Sequence, residues 1–222
     1  MNVVELENVK KFYMLGQTRV DALRGVSLSI GKGEFLAIAG PSGSGKSTML
    51  NMFGCIDHPS EGTVRVGGVD TSRMSDRELT RYRRTTVSFI FQSFNLIPVL
   101  NVYENIEFPL LLQRSISRKE RHDRVTRAIE EVGLADRMEN KSAELSGGQR
   151  QRVAIARALV THPVIVLADE PTANLDTETG SRIIELMKRI NGEEGTTFIF
   201  STHDSRIVAE AKRVVRIRDG LV

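Results

Sequence analysis

Residues 40–48, GPSGSGKST, fit the pattern G-x-x-x-x-G-K-[ST] and directly follow the apolar run FLAIA. Gly43 and Gly45 let a backbone curl until successive amides face phosphate oxygens. Lys46 can then reach β and γ phosphates, and the Ser47 hydroxyl can ligate Mg²⁺, which takes hard oxygen donors. Further on, VIVLADEP at 164–171 puts Asp169 at the tip of an apolar run, placed to hold Mg²⁺ through its water shell. Glu170 comes next, where a carboxylate can polarise an attacking water. Two more apolar runs end in polar groups: VSFIF in Gln92, and TFIFST in His203. Gln92 carries an amide able to ligate Mg²⁺ or orient water, and His203 can touch the γ phosphate or that water. The chemistry these residues suit is binding and hydrolysis of a nucleoside triphosphate.

A second anion-seeking feature lies at LSGGQRQRVAIARAL, residues 145–159. Ser146 and Gln149 have the spacing of a capping box, which satisfies the first free amides of a helix. Two glycines in that first turn cost roughly 1 kcal/mol each relative to alanine. They are understandable if something must approach the backbone closely, and a helix start with bare amides suits an anion. A chain with one complete cradle and one spare helix start of this kind is built to share a ligand with a second copy of itself.

The elements that must position these residues alternate along the chain. Strands are expected at Val3–Leu6, Val26–Ile30, Phe35–Ala39, Thr63–Val66, Val87–Phe91, Val164–Ala168, Thr197–Ser201 and Val214–Ile217. FLAIAG, VIVLADE and TFIFSTHD read as strands buried on both faces of a parallel sheet, whose ligands gather at the carboxyl ends. Helices are expected at Lys46–Phe53 and, after capping boxes at Ser75/Glu78 and Ser117/Glu120, at 76–84 and 118–132, with Gly133 closing the latter. A further helix starts at Asp176 and stops near Gly192. VSLSI and TVRV look antiparallel. The stretch 93–113, SFNLIPVLNVYENIEFPLLLQ, is apolar, broken by Pro98 and Pro109, and shows neither a 2- nor a 3.6-residue period. Irregular apolar segments of this kind mark partner surfaces, here through Phe94, Leu96, Ile97 and Leu100.

Composition narrows the classes. With 222 residues, folding buries about 70% of the unfolded surface without staples. A net charge of +3 gives no reason to expect nucleic acid, and basic clusters such as Arg81, Arg83 and Arg84 read as solvated helix faces. Cys55 is the lone cysteine, which fits a reducing compartment. MNVVELENVKKFY lacks the apolar core of an export signal, and no run approaches the ~20 apolar residues of a spanning helix.

Taken together, the motifs resemble those of the ATP-binding subunit of an ATP-binding cassette (ABC) transporter across essentially the whole chain. Its marks occur in order: Walker A at Gly40–Thr48, a glutamine loop at Gln92, a signature at Leu145–Gln149, Walker B with its glutamate at Asp169 and Glu170, an aspartate loop at Asp176 and a switch histidine at His203. The resemblance implies an α/β fold: a P-loop NTPase core of mainly parallel sheet with helices on both faces, an antiparallel β flank and a mostly helical insert. One ABC ATP-binding domain would span 1–222, with the nucleotide-binding core at about 1–92 and 161–222 and the insert at about 93–160. ATP would lie on Gly40, Pro41, Ser42, Gly43, Ser44, Gly45, Lys46, Ser47 and Thr48, with adenine stacked on Tyr13 or, less aptly, Phe12. Ser146, Gly147, Gly148, Gln149 and Asp176 would act in trans in a head-to-tail dimer. Lys46, Gln92, Glu170 and His203 would be catalytic, and Ser47, Gln92 and Asp169 would hold Mg²⁺. ATP would become ADP and phosphate, driving an integral membrane permease that docks near 93–113. The subunit would then be peripheral, on the cytoplasmic face of the inner membrane, and soluble when isolated. Ala173 departs from a common glycine in PTGNLD. GCIDHPSEG and LADEPTANLD are similar to the group serving lipoprotein release and macrolide or peptide export, with a cell-division relative close by. Against a DNA-maintenance ATPase stands the short separation of Lys46 and Ser146, without a coiled coil. A translation ATPase would usually carry two cassettes.

Overall fold

In the five-residue run Phe35–Ala39, alternate side chains point to opposite faces and both sets are apolar, which calls for cover on both sides. The computed structural model, which describes residues 1–113 and 115–222, supplies that cover. Phe35 and Ala37 pack into one cluster with Val166, Ala168, Phe198 and Phe200. Leu36 and Ile38 pack into another with Leu167, Ile199 and Ile217.

The elements are β1 (Asn2–Leu15), β2 (Thr18–Gly31), β3 (Phe35–Ala39), α1 (Lys46–Phe53), β4 (Glu61–Val66), β5 (Val69–Asp70), α2 (Asp76–Thr86), β6 (Val87–Ile90), α3 (Val102–Leu111), α4 (Arg118–Glu131), α5 (Gly147–Leu159), β7 (Ile165–Asp169), α6 (Thr177–Glu194), β8 (Thr197–Thr202), α7 (Ser205–Glu210) and β9 (Arg213–Arg216). Strands β6-β7-β8-β3-β9 form a parallel sheet, and β2-β1-β4-β5 an antiparallel one. Helices α3 to α7 contribute to the cluster on one face of the parallel sheet; α1, α2 and the antiparallel sheet close the other. This is the expected α/β architecture, with its antiparallel flank and helical insert.

Several local expectations are corrected. β1 and β2 run for fourteen residues each, far beyond Val3–Leu6 and Val26–Ile30. Register shifts at Leu6/Val9 and Lys11/Phe12 break the alternation that would have announced the extra length. Residues 102–111 within the supposedly irregular segment form α3, opened by a capping box between Asn101 and Glu104. Val102, Ile106 and Leu110 face the core while Phe108 and Leu111 are exposed. Apolar residues on both sides of the helix erase its period. Ser117 caps α4 through the Glu120 amide, but Glu120 turns to Arg124 instead of completing a box. Helix α6 continues past Gly192 to Glu194, because Gly195, at φ 67°, supplies the left-handed terminator. The six-residue α7 is too short to show a periodic pattern. Among the described residues no helix is long and apolar enough to cross a membrane.

Candidate nucleotide site and its half-site

The loop at 40–45 turns from β3 into α1 with little room to spare. A Cβ on Gly40 would sit 2.1 Å from the Ile217 carbonyl oxygen, and one on Gly45 2.7 Å from that of Ala22. Gly45 also has φ 108°, which L side chains rarely adopt. Helix α1 starts there with no side-chain cap and no acidic residue in its first turn, so its amides and dipole face an anion unopposed. The Lys46 ammonium lies along the loop, donating to the carbonyls of Gly40 at 2.7 Å and Pro41 at 2.9 Å.

Around this loop the carboxyl ends of β3, β7 and β8 converge on a cleft of ≈ 630 Å³, within the range of ligand pockets. Gly40, Pro41, Ser42, Gly43, Gly45, Lys46, Ser47, Thr48, Gln92, Asp169, Glu170 and His203 all line it. Ser44 points away and is buried, its hydroxyl without a protein partner among the described residues. Val20, Asp21, Ala22 and Ser201 also line the cleft, none of them signalled by a motif. They arrive through the β2 strand and the β8 tip, where only folding brings them near.

Glu170 holds a left-handed backbone, φ 47°, at the turn after β7, and its amide donates to the Ser201 carbonyl. That strained corner aims the carboxylate into the cleft. Its two oxygens take separate partners: Thr202 Oγ1 donates to Oε2 at 3.2 Å, and His203 Nδ1 lies 2.6 Å from Oε1. The His203 side chain is 77% exposed against 17% for Glu170, so the imidazole lies open while the carboxylate is sheltered. Asp204 holds the turn behind His203. It accepts from Thr172 Oγ1 at 2.7 Å and from the Arg206 guanidinium, which drops its carboxyl to about 2. Sequence reasoning missed Asp204 and Arg206 because the helix they open, α7, was itself unseen.

Gln92 is tied to the segment after Walker B, its carbonyl accepting from Asn174 Nδ2 at 2.9 Å. Just beyond it, Phe94 and Asn95 are left-handed, at φ 62° and 48°. Arg157 of α5 donates to both their carbonyls, and buried Asn105 bonds Ile97, Leu100 and Asn101. The glutamine loop is thereby stapled to α3 and to the helix that begins at the signature.

Ser146 to Gln149 lie outside this cleft. Ser146 caps α5 with the expected box: Ser146 Oγ accepts from the Gln149 amide, and Gln149 Oε1 accepts from the Ser146 amide at 2.8 Å. The serine is exposed and its hydroxyl proton is not used by the box. Gly148 has a reason inside its own chain, since a Cβ there would lie 2.5 Å from Thr179 Cγ2. Gly147 is less confined, with Leu175 Cδ2 at 3.3 Å. Asp176 is exposed and caps α6 through the Thr179 amide, also away from the cleft. Tyr13 is half-buried at the loop's edge beside Thr48, its hydroxyl donating to Asp57 Oδ2 at 2.9 Å. Phe12 lies under the Arg19 guanidinium, 4.1 Å from the ring centre.

A cradle, an in-line carboxylate and a detached second helix start are the parts read from the sequence, and the family profile for ABC transporters matches residues 23–173. The chain belongs to the ABC transporter family. It is an ATPase of that family. An uncharacterized ABC transporter ATP-binding protein of Thermotoga maritima is 49% identical, over 99% of this chain and 93% of that one. The macrolide export ATP-binding/permease protein MacB of Bdellovibrio bacteriovorus is 43% identical over 99% of this chain, which spans only 33% of MacB. Among solved structures, the dimeric post-hydrolysis state of the ATP-binding cassette MJ0796 bound to ADP and Pi matches with TM-score 0.88 and 46% identity, covering 99% of this chain and 96% of that one. MJ0796 comes from Methanocaldococcus jannaschii.

Proposed function

We propose that this cassette works as a head-to-tail homodimer with two shared ATP molecules, and that it drives a transmembrane permease. The observation that carries the reading is the separation of the Ser146 helix start from the chain's own complete cleft. Each cleft binds ATP on the loop 40–48, and Ser146 with the amides of Gly147 and Gly148 from the second copy meets the γ phosphate. Gln149 holds that serine in place as the other half of the cap, and Asp176 lies at the same interface. Ser47, Gln92 and Asp169 offer hydroxyl, amide and carboxylate oxygens on one cleft, a donor set that fits Mg²⁺. When bound there, Mg²⁺ neutralises charge on the phosphates.

Glu170 aligns water for in-line attack on the γ phosphorus, and the bond to the β–γ bridging oxygen breaks to give ADP and phosphate. His203, hydrogen-bonded to Glu170, steadies that carboxylate and can reach the departing phosphoryl group. Lys46 and the Ser146 hydroxyl of the second copy stabilise the charge that develops on it. Glu170→Gln should leave ATP binding intact, slow turnover by roughly 10²-fold or more and trap dimers. Elution of that variant as a monomer at saturating MgATP would contradict the shared-site reading.

The permease reading rests on the segment 93–113. Val99, at 74% exposure, with Phe108, Leu111 and Leu112, forms its exposed apolar side, whereas Leu96 packs on the core. Outward apolar residues on a helix stapled to the glutamine loop suit an apolar partner that must sense nucleotide. MacB joins an ATP-binding part and a permease under one name, which supports a membrane partner here, with lipoprotein release or macrolide or peptide export as the kind of work driven. Such a cassette sits peripherally on the cytoplasmic membrane face. Polar substitution of Phe108, Leu111 and Leu112 should spare ATPase activity and abolish co-purification with membranes; unchanged co-purification would contradict the docking site.

A further inference from the structure

Tyr13 is held by more than the ladder it sits on. Its hydroxyl donates to Asp57 Oδ2 at 2.9 Å, and Lys11 Nζ donates to the other oxygen, Oδ1, at 2.6 Å. The same ammonium donates to the His58 carbonyl at 2.8 Å and stands 4.9 Å from the centre of the Tyr13 ring. The His58 amide donates to the oxygen that Lys11 takes, Oδ1, at 2.7 Å. Asp57 therefore joins the loop after α1 to β1, and both of its oxygens are occupied. Burial alone would raise its carboxyl, but the bonds from Lys11, the His58 amide and Tyr13 outweigh it and hold it below the ordinary carboxylate range. The pair is sheltered, with the Lys11 side chain 12% and the Asp57 side chain 26% exposed.

This network belongs to no catalytic group, and both members of the ion pair also reach Tyr13: Asp57 takes its hydroxyl and Lys11 stands over its ring. We propose that Asp57 and Lys11 are positioning residues for the adenine base, fixing the Tyr13 ring at the edge of the phosphate loop and polarising it with an ammonium. The proposal rests on the reading that Tyr13 stacks the base. A cation near a ring draws on its negative face and leaves it a poorer electron donor, which favours stacking against an electron-rich purine. The hydroxyl anchor removes rotation of the tyrosine that would otherwise be lost on binding. Thr48, on the loop that carries the triphosphate, lies beside that hydroxyl.

The test compares ATP with inorganic tripolyphosphate, which has the phosphates and no base. Asp57→Asn and Lys11→Met should each raise the KM for ATP about threefold to tenfold, a part of the roughly 5- to 150-fold that one stacked base supports, while kcat changes less than twofold. The inhibition constant of tripolyphosphate should not move, and Lys11→Arg should restore most of the loss. Combined with Tyr13→Ala, Asp57→Asn should add nothing further. Equal weakening of ATP and tripolyphosphate, or an Asp57→Asn effect undiminished in the Tyr13→Ala background, would show a purely structural role and overturn the proposal while leaving stacking intact. An unchanged KM for Tyr13→Ala alone would instead overturn the stacking reading beneath it. Thermal unfolding midpoints of all variants separate loss of fold from loss of base binding.

Discussion

Helices α1 and α5 are each entered through a serine–glycine pair, Ser44–Gly45 and Ser146–Gly147, yet the two starts are built differently. Gly45 leads into α1 with a left-handed backbone and no side-chain cap, so the amides are bare inside a wrapped loop. Ser146 leads into α5 with an extended backbone and a reciprocal cap, exposed on the surface. The first start needs its anion to satisfy it. The second has its Ser146 and Gln149 amides taken by its own cap and offers the Ser146 hydroxyl with the amides of Gly147 and Gly148. On the proposed reading, one start is a binding site and the other a complement to a site on a second copy.

Ser146→Asp presses hardest on this difference. Aspartate caps a helix as well as serine, so the thermal midpoint should hold. A carboxylate facing the γ phosphate of the second copy should lower turnover by roughly 10²-fold or more, with nucleotide binding to the isolated cleft retained. Full activity in a steady-state ATPase assay would reduce Ser146 to a cap.

Gly148→Ala separates packing from phosphate approach. The new Cβ would meet Thr179 Cγ2 at 2.5 Å, an overpacking of about 1–3 kcal/mol, of which the better helix propensity of alanine offsets up to about 1 kcal/mol. Calorimetry should show a midpoint lower by a few degrees, roughly 2–4 °C for each kcal/mol at this chain length. Thr179→Ser, which removes that methyl, should recover it.

The smallest effect concerns the support behind His203. The Asp204 carboxyl is held at about 2, from an ordinary 3.8, chiefly by Arg206. Its depressed value stabilises the fold fully above about pH 4, and that contribution disappears as pH falls through about 2. The stability gap between wild type and Asp204→Asn should accordingly be full at pH 5 and close on acidification, as followed by thermal unfolding. A gap independent of pH would mean that the Arg206 contact contributes nothing.

The same contrast explains what the sequence could and could not announce. Glycines at 40, 43 and 45, carboxylates at 169 and 170 and the histidine at 203 are legible because each stands at or just past the end of a buried, mainly apolar strand, and strand ends converge in a parallel sheet. The α5 start is legible because its cap is local. Asp57, Lys11 and Arg157 were silent because they meet partners far along the chain, as Arg157 does Phe94, and no spacing encodes such meetings; Asn105 and Asp204 bond nearby, but within an irregular segment and at a helix too short to read. Helix α3 was hidden for another reason: Phe108 and Leu111 face outward while Val102, Ile106 and Leu110 face the core, and apolar residues on both sides remove the period by which helices are recognised.

Mixing two inactive variants tests the central claim most directly. Glu170→Gln spoils a cleft and spares the α5 start, whereas Ser146→Asp does the reverse. If each pocket is completed by the other copy, variants mixed before MgATP is added will form heterodimers with one wild-type pocket, and ATPase activity will rise well above the sum of the separate rates. A mixture that hydrolyses ATP only at that sum would contradict the shared pocket.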